Sequence, residues 1–193
     1  VTLSDISVKT VEVQSAATVG VQGTSSVEEL AANSAVTITT GGDAGASARI
    51  GNVTANSDVK LAANVVLNMV TVPSGAENVT ISGEPGAAVA NVSAESDVSL
   101  KVASVGTVTV QADNVTVQVG EGSAVKTVEA KNNATVSGEG TVGTIEAEEN
   151  TTVAGNFQDA VVVVEFLKPF IPVEEEVEYG AALPVLDTDY TIK

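Results

Sequence analysis

Histidine, cysteine and tryptophan are absent from these 193 residues, and each absence closes a line of chemistry. Without cysteine there is no disulfide framework and no thiolate metal site. Without histidine there is no imidazole to act as general base or ligand. The aromatic side chains number five, three Phe and two Tyr, and all lie from Phe157 onward, so the first 156 residues have none. Basic residues are also scarce: eight Lys and Arg stand against 25 Asp and Glu, for a net charge of −17. Such a chain repels phosphate backbones and anionic lipid, which excludes nucleic acid as a partner. The longest apolar run, "AVVVVEFL" at 160–167, falls well short of the roughly 20 residues that cross a bilayer, so no direct membrane insertion is expected. No signal peptide is visible, and a chain opening at Val1 reads as a mature or excised piece.

What fills the 44% of apolar residues is chiefly valine and alanine. A compact globular core uses large side chains to reach its centre, so a core of Val and Ala implies a narrow body in which every residue lies close to a wall. Richness in Val, Thr and Gly favours strands and turns over helices. The stretch "VKTVEAKNNATVSG" at 125–138 is followed by "VGTIEAEENTTVAG" at 142–155, identical at eight of fourteen positions. The same pattern starts at Val8, Val27, Ile50, Leu67, Val89, Val105, Val125 and Val142. The gaps are 19, 23, 17, 22, 16, 20 and 17 residues. Each copy passes through a short polar turn into a second apolar pair, such as Val36 with Ile38, Val59 with Leu61, Val79 with Ile81 and Val115 with Val117. Extra length falls in glycine-rich corners at 40–48, 83–88 and 120–124, where positive φ is cheap.

Within each copy the alternation has the strand period of two, but the strands are short and broken by turns at fixed places. Strands of this kind are stable when each bonds to its equivalents one coil above and below, so that the inward valines form one continuous stack. The pattern therefore predicts an all-β fold, a single-stranded parallel β-helix, or β-solenoid, of about eight coils. At an inter-strand spacing of about 4.8 Å it would be roughly 40 Å long. The crossover rule favours a right-handed coil. The inward columns would carry Val53, Val70, Val92, Val108, Val128 and Ile145, with Ala55, Val72, Ala94, Val110, Ala130 and Ala147 two residues later. An antiparallel sandwich of eight hairpins is the competing architecture, and it gives no reason for equivalents to recur about every nineteen residues.

At Phe157 the pattern stops, which divides the chain into solenoid repeats at 1–156, a C-terminal cap at 157–171 and a linker or the start of an immunoglobulin-like domain at 172–193. A solenoid's last coil exposes a strand edge and an apolar end, and Phe157, Phe166 and Phe170 with "AVVVV" would cover them. Beyond them "LKPFIPVEEEV" has the composition of an acidic, proline-stiffened linker. The repeats "VGTVTVQADNVTVQVGEG" and "VGTIEAEENTTVAGN", followed by "VEEEVEYGAALP", resemble the Val/Thr/Gly-rich β-helical segments of large Gram-positive cell-surface proteins, S-layer-type and adhesin-like. In such proteins "V-x-V-x-Y-G-x-A-L" commonly opens a bacterial immunoglobulin-like domain. The resemblance implies a secreted protein at the bacterial cell surface, in which this chain is a non-catalytic structural or spacer module. Its partners would be neighbouring domains of the same protein. A carbohydrate-binding β-helix module, with host or cell-wall glycans as partners, is the alternative.

Parallel β-helices also host polysaccharide-cleaving sites, which gather acids with a basic residue, often beside aromatic platforms. The coils here have no aromatic and no cluster of basic residues; Lys126 and Lys131 share one coil, Lys60 and Lys101 lie in others, and all four read as solvated surface. Threonine runs occur without constant register, which counts against a regular T-x-T ladder. Six N-x-[S/T] sequons, at Asn52, Asn78, Asn91, Asn114, Asn133 and Asn150, follow automatically from a repeat whose turns end in Asn before a V-T strand. Asn114, Asn133 and Asn150 would tolerate left-handed φ and stack amide on amide. No cofactor is expected. Eight residues after each anchor the turn holds Asp58, Asp97 and Asp113, with Glu77 at about the same level. Stacked carboxylates repel and need solvent, protonation or a cation; calcium, which accepts oxygen ligands in irregular geometry, is the metal these four would take.

Overall fold

The structure, a computed structural model, describes residues 1–41, 48–131, 133–148, 150–155, 157 and 160–164. In chain order the first strands are β1 (Thr2–Ser4), β2 (Ser7–Val13), β3 (Ala17–Gln22), β4 (Ser26–Ala32), β5 (Val36–Gly41) and β6 (Arg49–Ala55). There follow β7 (Val59–Leu61), β8 (Val66–Val72), β9 (Val79–Gly83), β10 (Ala88–Ala94), β11 (Val98–Lys101) and β12 (Ser104–Val110). The last are β13 (Thr116–Val119), β14 (Ala124–Ala130), β15 (Thr135–Gly138), β16 (Thr141–Ala147), β17 (Thr152–Val153) and β18 (Val161–Val164). Odd-numbered strands stack in order from β1 to β17 in one nine-stranded sheet, and even-numbered strands from β2 to β18 in the other. Each coil contributes one strand to each sheet, so the chain is a parallel β-solenoid of about eight turns. Every strand pairing is parallel, which removes the antiparallel sandwich.

The register follows the repeat. Val8 pairs with Val27, Val27 with Ile50, Val89 with both Leu67 and Val105, and Val125 with both Val105 and Val142. Three residues further along, Val53, Val70, Val92, Val108, Val128 and Ile145 form the expected column, each at most 1% exposed. Between the sheets lies one continuous core of Val, Ala, Leu and Ile. Burial of each Val, Leu or Ile side chain contributes about 1.5–3 kcal/mol, and a body two strands thick needs no aromatic to fill it. The two buried polar side chains, Ser25 and Ser123, are both bonded to the neighbouring coil: Ser25 Oγ accepts from Ile6 N at 3.2 Å, and Ser123 Oγ donates to Leu100 O at 3.1 Å.

By strand length the odd-numbered strands make the shorter sheet and the even-numbered strands the longer, and the shorter sheet departs from the sequence alignment in two places. Val59 pairs with Ile81, not Val79, and Val98 pairs with Val117, not Val115. Each slip is two residues, and because side chains alternate faces with period two, a slip of two keeps every valine inward where a slip of one would expose them all. The extra residues, Val79 and Val115, are themselves buried. Single threonine columns run in register, Thr107, Thr127 and Thr144 on one sheet and Thr116, Thr135 and Thr152 on the other, but no T-x-T pair repeats along them: Thr109 is opposite Glu129, and Gln118 is opposite Ser137.

Corners are made by residues that tolerate positive φ. Asn78, Asn114, Asn133 and Asn150 have φ of 41°, 61°, 57° and 64°, whereas Asn52 and Asn91 lie within β6 and β10. The inter-coil amide contact falls elsewhere, with Asn56 Nδ2 donating to Asn33 Oδ1 at 2.9 Å. Gly23 and Gly86 show why two corners need glycine: a Cβ there would sit 2.2 Å from Asp5 Oδ1 and 2.3 Å from Asn64 Oδ1, each one coil below. At the C-terminal end β18 continues the ladder past the expected boundary, with Ile145 opposite Val162 and Ala147 opposite Val164. The segment read as a cap thus begins with one more rung, whose four valines are 44–59% exposed. Phe157 packs partly buried against the core, while Phe166, Phe170 and the linker expected at 172–193 lie outside the described residues.

Candidate functional site

The acidic turn residues sit where the chain leaves the longer sheet and enters the shorter one. Asp58 immediately precedes β7 and Asp97 immediately precedes β11. The two-residue slips decide what faces them: Ile81 level with Val59 puts Thr80 level with Asp58, and Val117 level with Val98 puts Thr116 level with Asp97. Asp58 Oδ1 accepts the main-chain N–H of Thr80 at 2.8 Å, and Asp97 Oδ1 accepts that of Thr116 at 2.7 Å. In both places the carboxylate continues the ladder by one rung, doing for the incoming strand what a main-chain carbonyl does elsewhere. Their own carbonyls accept from the coil below, Val36 N to Asp58 O at 2.9 Å and Val79 N to Asp97 O at 3.2 Å.

Glu77 and Asp113 occupy a different level. Each stands three residues before the threonine that its neighbouring aspartate holds, just ahead of the left-handed Asn78 or Asn114. The four acids therefore do not form a single vertical column. Glu77, Asp97 and Asp113, joined by Glu95, line one open recess of about 350 Å³. Asp58 lies in another, with Lys60 and Thr80. Among the described residues no three acidic side chains are grouped so as to hold a metal ion. Stacked carboxylates had three ways to relieve repulsion in the sequence reading, and the structure supplies a fourth, the main-chain N–H of the next coil.

A signal for this was present in the sequence. "SDV" occurs at 57–59 and 96–98, and each is followed one coil later by an acid and "NVT", at 77–80 and 113–116. The pairing becomes legible once the two-residue slip is known. Asp5, which sequence reasoning passed over, does the same work at the opposite corner. It has φ of 55°, and its Oδ1 accepts Thr24 N–H at 2.9 Å and Thr24 Oγ1 at 3.1 Å. The main-chain N–H of Thr24, then its hydroxyl, hold the Asp5 carboxyl below the usual carboxylate range.

Two measurements test these assignments. Because the folded-state pKa of Asp5 is depressed, its ionised form adds stability above the unfolded value of about 3.9, and that contribution disappears as pH falls through the folded value. Asp5→Asn keeps an acceptor and tolerates positive φ, so the parent should melt higher than the variant at pH 7 and lose that advantage below about pH 4. An advantage that persists at lower pH would show that charge at Asp5 is not the cause. For the acidic recess, thermal melts in millimolar calcium and in chelator should coincide, since main-chain donors already serve Asp58 and Asp97. A calcium-dependent rise of several degrees that Asp97→Asn abolishes would instead place an ion among Glu77, Asp97 and Asp113.

No helix among the described residues is long and apolar enough to cross a membrane. No protein-family model, no curated protein and no solved structure matches the chain, so the fold and the residues it displays carry the functional reading.

Proposed function

We propose that this chain is a rigid, non-catalytic rod that spaces neighbouring domains of a secreted bacterial surface protein. The observation that carries the proposal is the unbroken pair of parallel ladders, nine strands each, around one continuous aliphatic core. Hydrogen bonds that run along the long axis resist extension together, so stiffness comes from the main chain and survives sequence drift on the surface. Ion pairs add little: Lys60 with Glu84 and Lys131 with Glu148, both at 3.1 Å, are about half exposed. The acidic surface keeps adjacent rods from aggregating. The resemblance of the repeats and of "EYGAAL" at 178–183 to Gram-positive surface proteins supports the setting.

The absence of cysteine makes the test direct, because Ser4→Cys and Thr152→Cys give two unique labelling sites at the two ends of the shorter sheet. Eight steps of about 4.8 Å separate those rungs along the axis, so pulsed electron spin resonance should return one narrow distance distribution near 40 Å. A broad distribution, or one much shorter, would overturn the rigid rod. Incubation with linear polysaccharides should release no new reducing ends or unsaturated products; release of either would overturn the non-catalytic reading.

A further inference from the structure

The N-x-[S/T] sequons fall into two groups once the chain is folded. Asn52 and Asn91 stand within β6 and β10, half-buried, with their side chains engaged: Asn52 Oδ1 accepts from Thr71 Oγ1 at 3.4 Å, and Asn91 Nδ2 donates to Asn68 O at 3.2 Å. Asn78, Asn114, Asn133 and Asn150 are exposed, and all four have left-handed φ at the corner that leads into the shorter sheet. Among the described residues the asparagine side chains that make hydrogen bonds are Asn33, Asn52, Asn56 and Asn91, so the four corner amides are left to solvent. Each corner asparagine is followed two residues later by a threonine in the first or second position of a strand: Thr80, Thr116, Thr135 and Thr152.

Register sets these four in a row along one edge of the rod. Thr116, Thr135 and Thr152 are partners in successive coils, so Asn114, Asn133 and Asn150, each two residues earlier, stack at about 4.8 Å per coil. Asn78 lies further along the same edge, where it and Asn114 rim the acidic recess. The main-chain N–H groups of Thr80 and Thr116 are held by Asp58 and Asp97, and both threonine side chains line open recesses. Turn chemistry alone does not demand the threonine: Asn64, at the opposite corner, has φ of 61° and is followed by Val65 and Val66. Nor does a left-handed corner require an amide, since Asp5 adopts φ of 55° with a carboxyl group. Among the described residues an exposed asparagine with a hydroxyl two positions on occurs at this edge and nowhere else.

We propose that this edge is a row of acceptor sites for asparagine-linked sugar at Asn78, Asn114, Asn133 and Asn150, and that Asn52 and Asn91 are not acceptors. The donor is a sugar activated as its pyrophosphate, and a separate transferase that reads N-x-T carries out the transfer. Asn Nδ2 attacks C1 of the sugar; the N–C bond forms as the bond from C1 to the pyrophosphate oxygen breaks. The pyrophosphate leaves with that electron pair, and one amide proton passes to a base of the transferase. At the exposed corners a bulky, polar sugar displaces nothing in either sheet. On Asn91 the same reaction would disturb the bond to Asn68 and wedge the sugar into a half-buried position of the longer sheet. This goes beyond the spacer reading and does not depend on it: a chain that failed to be rigid could still carry sugar, and a rigid rod could be bare.

The test is peptide mass mapping of the full chain purified from the cells that make it, with electron-transfer fragmentation, which leaves each sugar on the residue that bears it. Sugar is expected on Asn78, Asn114, Asn133 and Asn150, with Asn52 and Asn91 bare. Thr116→Val, made in the same cells, should remove the sugar from Asn114 alone, and Thr116→Ser, which keeps a hydroxyl, should retain it. Both variants keep the main-chain N–H that Asp97 holds, and circular dichroism confirms that their strands are intact. Bare peptides at the corners, or sugar on Asn52 and Asn91 at the same occupancy, would overturn the proposal. So would sugar found on the threonine hydroxyls instead of the amides, or a Thr116→Val chain that still carries sugar at Asn114.

Discussion

Every feature of this molecule depends on the hydrogen bonds between one coil and the next. A parallel stack requires each strand to find its equivalent at the same height, so whatever residue type one level needs inward, the level above needs too. Valine satisfies that demand at Val92, Val108 and Val128 because a β-branched side chain fills a pleated surface and meets its copy at about 4.8 Å. The same constraint acts at the corners. Where the incoming strand begins two residues early, its first N–H groups need acceptors that the coil below does not offer from its main chain, and Asp58 and Asp97 supply them. Acidic turn residues here are part of the ladder.

The fold was legible because periodicity survives degeneracy. The anchors from Val8 to Val142 could be placed by eye, and the structure stacks them as equivalents. The longer sheet was easier to align than the shorter one for a physical reason: its strands from β4 to β16 hold a seven-residue length, whereas β7 has three residues and β9 five. A short strand gives too little pattern to reveal a slip of two, and a slip of two leaves burial unchanged, so Val59 opposite Val79 and Val59 opposite Ile81 look alike from sequence. The end of the solenoid was obscured by the same logic. "VVVV" at 161–164 lacks the alternation of an inner coil, yet its main chain pairs with β16 as any other rung does.

The candidate site was less legible, because it depends on which residues share a height. Reading Asp58, Glu77, Asp97 and Asp113 as one column counted eight residues from each anchor to the aspartates and allowed a longer turn for Glu77, but the slips place Glu77 and Asp113 three residues from the level of the aspartates' partners. Lys60 and Lys101 looked unrelated at 41 residues' separation, yet both pair with Ser82.

The central claim, that the chain is a parallel stack in this register, is tested most directly by cysteine pairs in a chain that has none of its own. Thr127 and Thr144 are cross-strand partners on the outward face of the longer sheet. At about 4.8 Å between neighbouring strands, their cysteine replacements are within disulfide reach. Mild oxidation should join Thr127→Cys to Thr144→Cys within one molecule, while Thr127→Cys with Gln118→Cys, on opposite sheets, should stay reduced. Failure of the first pair, or equal joining of the second, would contradict the stack.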